Sequence, residues 1–331
     1  MGGEDIRETV RAGGLLAADL PVVAMLSGGR DSVCLLDVAV ALRGRAAVSA
    51  LHVNYGLREQ AGEDERHCAA LCETLGVELV VVRASPPAGG QGPPADAAGN
   101  LHAWARELRY RHAGRIAAER DALIATGHTA SDQVETILYR LAASPGRRAL
   151  LGMVAHEGRL IRPLLGLTRE QTGAYCEARG LEWREDQSND DEQYARTRVR
   201  HGLARTLRAV HPAAEANVLR TARLLREETE LLDGLIEQEL AGGSAVTIER
   251  LAELPAALAR LVVVRLAEQA AGTYVPQAGD RVQEIIALGR RGGRAELHVG
   301  GGAGAVIDGG SLAMVRLPPR AKRPAGPPPE D

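Results

Sequence analysis

The chain has 331 residues, 45% of them hydrophobic and 25% charged, with a formal net charge of −3 and an isoelectric point near 6.3. This is globular composition at a length that suits two compact units, and it excludes a fibrous or disordered chain and a globally basic nucleic-acid binder. Phenylalanine is absent, and 39 of the 40 basic residues are arginine; the one lysine, Lys322, lies in a proline-rich tail, which excludes Schiff-base chemistry and a Walker-type GxxxxGK[ST] site.

Residues 21–26 form a short apolar run, predicted as the first strand, which ends in Ser27-Gly28-Gly29 and leads into a helical pattern over 32–42. A second apolar run at 46–53 precedes a helix at about 63–75, and the valine-rich stretch 77–83 is a third strand. A Pro/Gly-rich loop at 85–98 and a long amphipathic helix, about 99–120, lead to a fourth strand at 123–126. Residues 158–165 read as a fifth strand, followed by a helix at 168–179. Strands alternating with helices predict an α/β fold, a doubly wound parallel sheet covered on both faces, with ligands bound beyond the carboxyl ends of the strands.

The pattern then changes. Residues 197–210, 212–240, 251–270 and 278–288 carry apolar positions three and four apart, and 295–317 is a Gly-rich apolar end suited to small strands and turns. The expected organisation is a catalytic domain over 1–210, a mainly helical accessory domain over 211–317 and a disordered Pro-rich tail over 318–331. Cys34, Cys68, Cys72 and Cys176 form no CxxC and follow no secretory signal, which predicts a reduced, cytoplasmic protein without disulfides or a cysteine metal site. No charge-free apolar run is long enough to span a membrane.

The strongest motif is Ser27-Gly28-Gly29-Arg30-Asp31-Ser32, placed between the first strand and the first sheet-covering helix. Glycines let successive N–H groups approach a ligand, and the helix start adds unpaired donors and partial positive charge. Ser27 and Ser32 add hydroxyls. Asp31 would repel a bare phosphate, so it predicts a magnesium ion between carboxylate and phosphate. Asp132 and Glu135, three apart at the start of a helix after strand four, present two carboxylates on one face. They are either helix-start acids that complement the dipole or receptors for a cationic substrate.

SGGxDS after the first strand resembles the pyrophosphate-binding loop of the PP-loop, or N-type, ATP pyrophosphatases. Within them the chain is similar to the tRNA(Ile)-lysidine synthetase family. His52-Val53-Asn54-Tyr55-Gly56-Leu57-Arg58 resembles that family's HVNHGLR, and Gly127-His128-Thr129-Ala130-Ser131-Asp132-Gln133-Val134-Glu135-Thr136 resembles GHxADDQxET. Arg162-Pro163-Leu164-Leu165 resembles RPLL, Glu185-Asp186-Gln187-Ser188-Asn189 resembles EDxSN, and 194–201 resembles YxRNxxRH. The sequence departs from the family at Tyr55, Ser131 and His102, where histidine, aspartate and glutamate are usual.

The resemblance implies an enzyme, a ligase forming a carbon–nitrogen bond. ATP would adenylate C2 of the wobble cytidine of a tRNA(Ile) with a CAU anticodon, and the side-chain amine of free L-lysine would then displace AMP. It implies that Ser27, Gly28, Gly29, Arg30, Asp31 and Ser32 bind ATP with Mg2+ on Asp31, and that Asp132 and Glu135 receive lysine. Arg106 is either a second phosphate clamp or a solvated helix arginine. Arg58, Arg196, Arg198, Arg200 and His201 are the candidate tRNA contacts, in a segment, 196–226, whose eight arginines face one acid, Glu215. Trp104, Tyr110, Tyr139 and Trp183 are either core residues or stacking partners for a flipped base. The family is compatible with a homodimer. The alternatives are another PP-loop tRNA-modifying enzyme such as a thiolase, disfavoured by the missing CxxC, and a non-catalytic tRNA- or nucleotide-binding module.

Overall fold

A computed structural model describes residues 3–17, 19–56, 60–84, 98–144, 146–184 and 195–318. The chain divides into two compact units, Met1–Arg223 and Leu224–Asp331. The division falls beyond residue 210, inside a continuous helix that marks no break in composition.

In the first unit the elements are α1 (Gly3–Ala12), β1 (Val22–Met25), α2 (Arg30–Arg43), β2 (Val48–Asn54), α3 (Ala61–Leu75), β3 (Glu78–Arg83), α4 (Ala98–Glu119), β4 (Leu123–Ala125), α5 (Ala130–Ala143), β5 (His156–Glu157), β6 (Leu160–Ile161) and α6 (Arg169–Ala178). A helical run follows: α7 (Ala195–Arg198), a π-helical stretch Val199–Ala204, α8 (Arg205–Val210) and the start of α9 (Ala214–Leu240). The sheet order is β3-β2-β1-β4-β6-β5. β1 pairs parallel with β2, Val22 opposite Val48, and with β4, Val22 opposite Leu123. The fifth strand expected at 158–165 is shortened to β6, which pairs parallel with β4, Ile124 opposite Leu160; β5 adds an antiparallel edge to it because Gly158 takes a positive φ of 59° and turns the chain.

Alternation along β1 sends side chains to opposite faces. Val22 and Ala24 join a core with Val33 and Leu36 of α2, Cys68 and Leu71 of α3, and Ile6 of α1. Val23 and Met25 join Leu51, Val53 and the α4 residues Ala113, Ile116 and Ala117 on the other face. With no phenylalanine, the packing is aliphatic, and Tyr175 of α6 is the largest side chain buried to below 2% exposure among the described residues. The hydroxyl of Tyr175 donates to Asp37 of α2, which also accepts from Arg7 at 3.3 Å and from Arg179 at 3.2 and 3.3 Å. Burial pushes the Asp37 carboxyl up, but hydrogen bonds from Arg179, Tyr175 and Arg7 outweigh it and hold the group below its ordinary value.

The second unit continues from α9 through β7 (Ala245–Thr247), α10 (Ile248–Glu253), α11 (Ala256–Ala271), a 3-10 turn (Pro276–Arg281), α12 (Val282–Arg291), β8 (Ala295–Gly300), β9 (Ala303–Asp308) and β10 (Ser311–Arg316). Its strands form an antiparallel sheet ordered β7-β10-β9-β8, packed with Val262, Val263, Leu266 and Ile285. Helices α9 to α12 supply most of this unit's regular structure, and three of its four strands lie in the Gly-rich end at 295–317. Glycines at 300–302 and 309–310, all with positive φ, make the tight turns that let such short strands pair. Among the described residues no helix is long and apolar enough to cross a membrane. The tail from 319 onward lies outside them.

Asp37 binds α1, α2 and α6 through one buried carboxylate. Asp37→Asn is expected to cost about 2–3 kcal/mol at pH 7 by removing a charge that three donors surround. Its folded pKa lies below its unfolded one, so this stabilisation is present above about pH 4 and is lost as pH falls through the folded value. Urea denaturation of both proteins from pH 7 to pH 3 checks this: the gap should be full at neutral pH and close in acid.

Candidate functional site

The loop after β1 lies at the point where connections leave in opposite directions, to β2 on one side and towards β4 on the other, which opens a crevice at the strand ends. Gly28 has φ of +84°, and a Cβ there would lie 3.4 Å from Cys68 Sγ, so glycine serves both the turn and the close approach. Ser32 Oγ accepts from the Ser27 N–H at 3.2 Å and donates to the Gly29 carbonyl at 2.7 Å. Ser27 Oγ lies 3.1 Å from Ser32 Oγ and accepts from the Gly29 N–H at 3.4 Å. Gly29 caps α2 without a side-chain hydrogen bond; its carbonyl accepts from the Ser32 and Val33 N–H groups at 3.0 Å, which leaves the Arg30 and Asp31 N–H groups at the helix start for an anion.

The turn between β4 and α5 presses against this helix start. A Cβ on Gly127 would lie 2.8 Å from the Asp31 carbonyl oxygen and 3.1 Å from the Ser32 nitrogen. Thr129 then caps α5 in a reciprocal box with Asp132: Asp132 Oδ2 accepts from the Thr129 N–H and hydroxyl, each at 2.8 Å. Asp132 and Glu135 are both buried, and the helix start that carries them stabilises their charge.

Arg169, the first residue of α6, joins these groups. Its guanidinium lies 3.1 Å from Asp132 Oδ1, 3.3 Å from Glu135 Oε1 and 3.5 Å from Asp31 Oδ2. Burial lowers its pKa, but Asp132, Glu135 and Asp31 together raise it above the ordinary value. Asp31 also accepts from the Thr172 hydroxyl and lies 3.4 Å from Arg30 Nε. Glu135 further accepts from Arg200 at 2.7 and 3.3 Å. Ser131 Oγ accepts from the Arg169 backbone N–H at 3.2 Å, so the residue that departs from the ADDQ pattern positions this arginine.

The structure thus brings Asp31, Asp132 and Glu135 together beside the 27–32 loop. It turns Arg200, read from sequence as a tRNA contact, inward onto Glu135, because an ion pair with a buried carboxylate outweighs a solvated position. Arg198 and His201 are exposed on the same helical run. Arg106 is exposed, with its guanidinium 4.8 Å from the centre of the Tyr110 ring; among the described residues no hydrogen bond or ion pair ties it to the loop. Tyr55 donates to the Ala105 carbonyl at 3.0 Å, and its ring lies 6.0 Å from Trp104. Arg58, the 185–194 motif and the side chains of His102 and Arg196 lie outside the described residues. Sequence reading missed Arg169 and Thr172; the one available signal was an arginine opening a helix, against the dipole.

All four cysteines are buried. Burial pushes the Cys68 thiol up to about 12 and the Cys72 thiol up to about 11, and a hydrogen bond with Cys176, followed by burial, raises Cys34. Cys34, Cys68 and Cys72 are therefore packing groups held as thiols, unlike reactive thiolates.

Gly127→Ala is expected to force the α5 start away from α2, since its methyl group would meet backbone atoms. The cost is about 1–3 kcal/mol of stability, with weaker pyrophosphate binding. Thermal melts and calorimetric titration with pyrophosphate check both effects; wild-type values for each would show that the two helix starts are not packed in this way.

A family model described as a PP-loop domain matches residues 16–207. The chain is 39% identical over 246 residues to a tRNA(Ile)-lysidine synthase of Azoarcus sp. (strain BH72), covering 71% of this chain and 52% of that protein. It is 36% identical over 322 residues to a tRNA(Ile)-lysidine synthase of Thermus thermophilus, covering 94% of this chain and 60% of that protein. The chain therefore spans little more than half the length of these relatives. Its fold is similar to that of a U34-tRNA thiolase from Methanococcus maripaludis solved with its [4Fe-4S] cluster, with a TM-score of 0.56, 18% identity, and 67% of this chain and 78% of that chain covered.

Proposed function

This chain belongs to the PP-loop domain family, and on that premise we propose that it uses ATP to join free lysine to C2 of the wobble cytidine of a tRNA(Ile) with a CAU anticodon. The observation that carries the reading is the convergence of Asp31, beside a polyphosphate-binding loop, with the Asp132–Glu135 pair on the next helix start. A nucleotide and a cationic amine would therefore meet in one crevice.

In the first half of the reaction the cytidine O2 attacks the α-phosphorus and pyrophosphate leaves. The Arg30 and Asp31 N–H groups at the start of α2 and the hydroxyls of Ser27 and Ser32 bind the phosphate oxygens as charge builds on the leaving group. Magnesium is bound in proteins by one or two carboxylates together with substrate phosphates and water. Asp31 at the edge of the loop fits that donor set, and the ion would neutralise the leaving pyrophosphate. In the second half the lysine side-chain nitrogen attacks C2 and AMP leaves with the O2 oxygen. A free lysine ammonium has a pKa of about 10.4, so supplying the neutral amine at pH 7 costs about 4–5 kcal/mol. Carboxylates that hold the ammonium are also placed to take its proton.

The exposed arginines Arg198, Arg205, Arg208, Arg220 and Arg223 supply a basic surface for the tRNA backbone. A thiolase reading is disfavoured by cysteines that are all buried and form no CxxC. The protein is expected to act in the cytoplasm, where its tRNA substrate resides.

Incubation with ATP, magnesium, labelled lysine and an unmodified CAU-anticodon tRNA should place label in the tRNA and release AMP; active-site-titrated protein that incorporates none sinks the reading. Asp31→Ala and Glu135→Ala should abolish incorporation while the chain stays folded. Replacing Arg198 and Arg205 by alanine should instead weaken tRNA binding and flatten its salt dependence by about 0.7–0.9 log units of K per log unit of salt for each phosphate that is no longer neutralised. Filter binding across a salt series measures that slope.

A further inference from the structure

Arg169 belongs to none of the motifs that identify the site, yet its side chain sits between the two halves of it. One guanidinium touches Asp31, expected on the phosphate side, and both Asp132 and Glu135, expected on the amine side. Its place is fixed at several points: the Arg169 N–H on Ser131 Oγ, the Thr168 cap of α6 paired with Gln171, and the Thr172 hydroxyl on Asp31. The charges balance locally, with Arg30 on Asp31, Arg200 on Glu135 and Arg169 on all three acids. A substrate ammonium entering this arrangement would be a further cation on carboxylates that a guanidinium already engages. Polyphosphate on the neighbouring loop would attract that same guanidinium, which already reaches Asp31 beside it.

We propose that Arg169 is a positioning residue that stands in for the substrate amine: it holds Asp132 and Glu135 while the nucleotide site is empty and turns towards the polyphosphate when ATP binds, releasing them to lysine. Amine binding then depends on nucleotide binding. Exchange of an internal guanidinium for a substrate ammonium keeps the charge of the pair constant, so the buried acids are never left without a cation. This inference rests on the ligase reading above and adds to it an order of binding.

The test is equilibrium dialysis of labelled lysine against the full chain, with and without magnesium and α,β-methylene-ATP, which is not cleaved between its α and β phosphates. In the wild type the nucleotide should tighten lysine binding by about tenfold, and lysine should tighten nucleotide binding by the same factor. Arg169→Gln should bind lysine equally well with and without nucleotide, at an affinity near that of the nucleotide-loaded wild type. Arg169→Lys keeps the charge but cannot span three carboxylates, so it should show a reduced coupling; it carries the test if Arg169→Gln melts too low for dialysis. Wild-type coupling in whichever variant is folded overturns the inference, as does a wild type that binds lysine indifferently to nucleotide. If the wild type transfers lysine to tRNA in either case, the ligase reading stands and only the role of Arg169 falls. If it neither binds nor transfers lysine, both fall.

Discussion

Two helices begin at the same crevice, and each brings acids to its first turns: Asp31 on α2, Asp132 and Glu135 on α5. Placing carboxylates there is locally favourable, because a helix start carries partial positive charge. Gathering three of them is not, since like charges about 4 Å apart repel by about 4 kcal/mol at the effective dielectric of a protein surface. The arrangement therefore requires cations of its own. Arg169 reaches all three acids and Arg200 adds a two-nitrogen contact to Glu135, and a planar guanidinium with five donors suits both tasks.

That constraint explains why α6 is tied to α2 along its length. Residues 169, 172, 175, 176 and 179 fall on one face of α6, and each meets α2 in turn. Arg169 and Thr172 contact Asp31, Cys176 contacts the Arg30 carbonyl, and Tyr175 and Arg179 contact Asp37. Asp37 is remote from the reacting groups, yet it fixes the orientation of the helix that delivers Arg169. The close approach at Gly127 does the same for α5. Here stability and site geometry are one problem: the polar seam that holds the helices is continuous with the cluster that would hold the substrates.

Much of this was legible in the sequence and some was not. Apolar runs bounded by turn residues located β1 to β4, and SGGRDS announced an anion site because glycine, hydroxyl and helix start have chemical meaning at adjacent positions. Asp132 and Glu135 were legible for the same reason, being three apart on a helix. Arg169 was not, because two of its acidic partners lie 34 and 37 residues away, the third, Asp31, is farther still, and a chain with 39 arginines gives no single one prominence. The pairing of Arg200 with Glu135 was hidden by the same abundance: one member of a basic run looks like surface, and only packing shows which of them meets a buried acid. The Gly-rich end at 295–317 was legible as small strands and turns, whereas β7 (Ala245–Thr247), three residues long beside a glycine break, carried too short a pattern to read.

The near absence of lysine takes on a physical meaning in this setting. A site proposed to hold a lysine ammonium must satisfy its acids when no substrate is present, and a lysine side chain would satisfy them in the same compact, tetrahedral way as that substrate. A guanidinium is planar, more weakly hydrated and spread over three nitrogens, so it spans Asp31, Asp132 and Glu135 at 3.1–3.5 Å without adopting the closer approach available to an ammonium. On the proposed reading, an arginine would therefore compensate the acids between turnovers while leaving the site better suited to the ammonium than to itself. The abundance of arginine in this chain does not explain the position of any one of them. Three carboxylates from two helix starts, and a third helix that opens on its least favoured charge, do explain the position of Arg169.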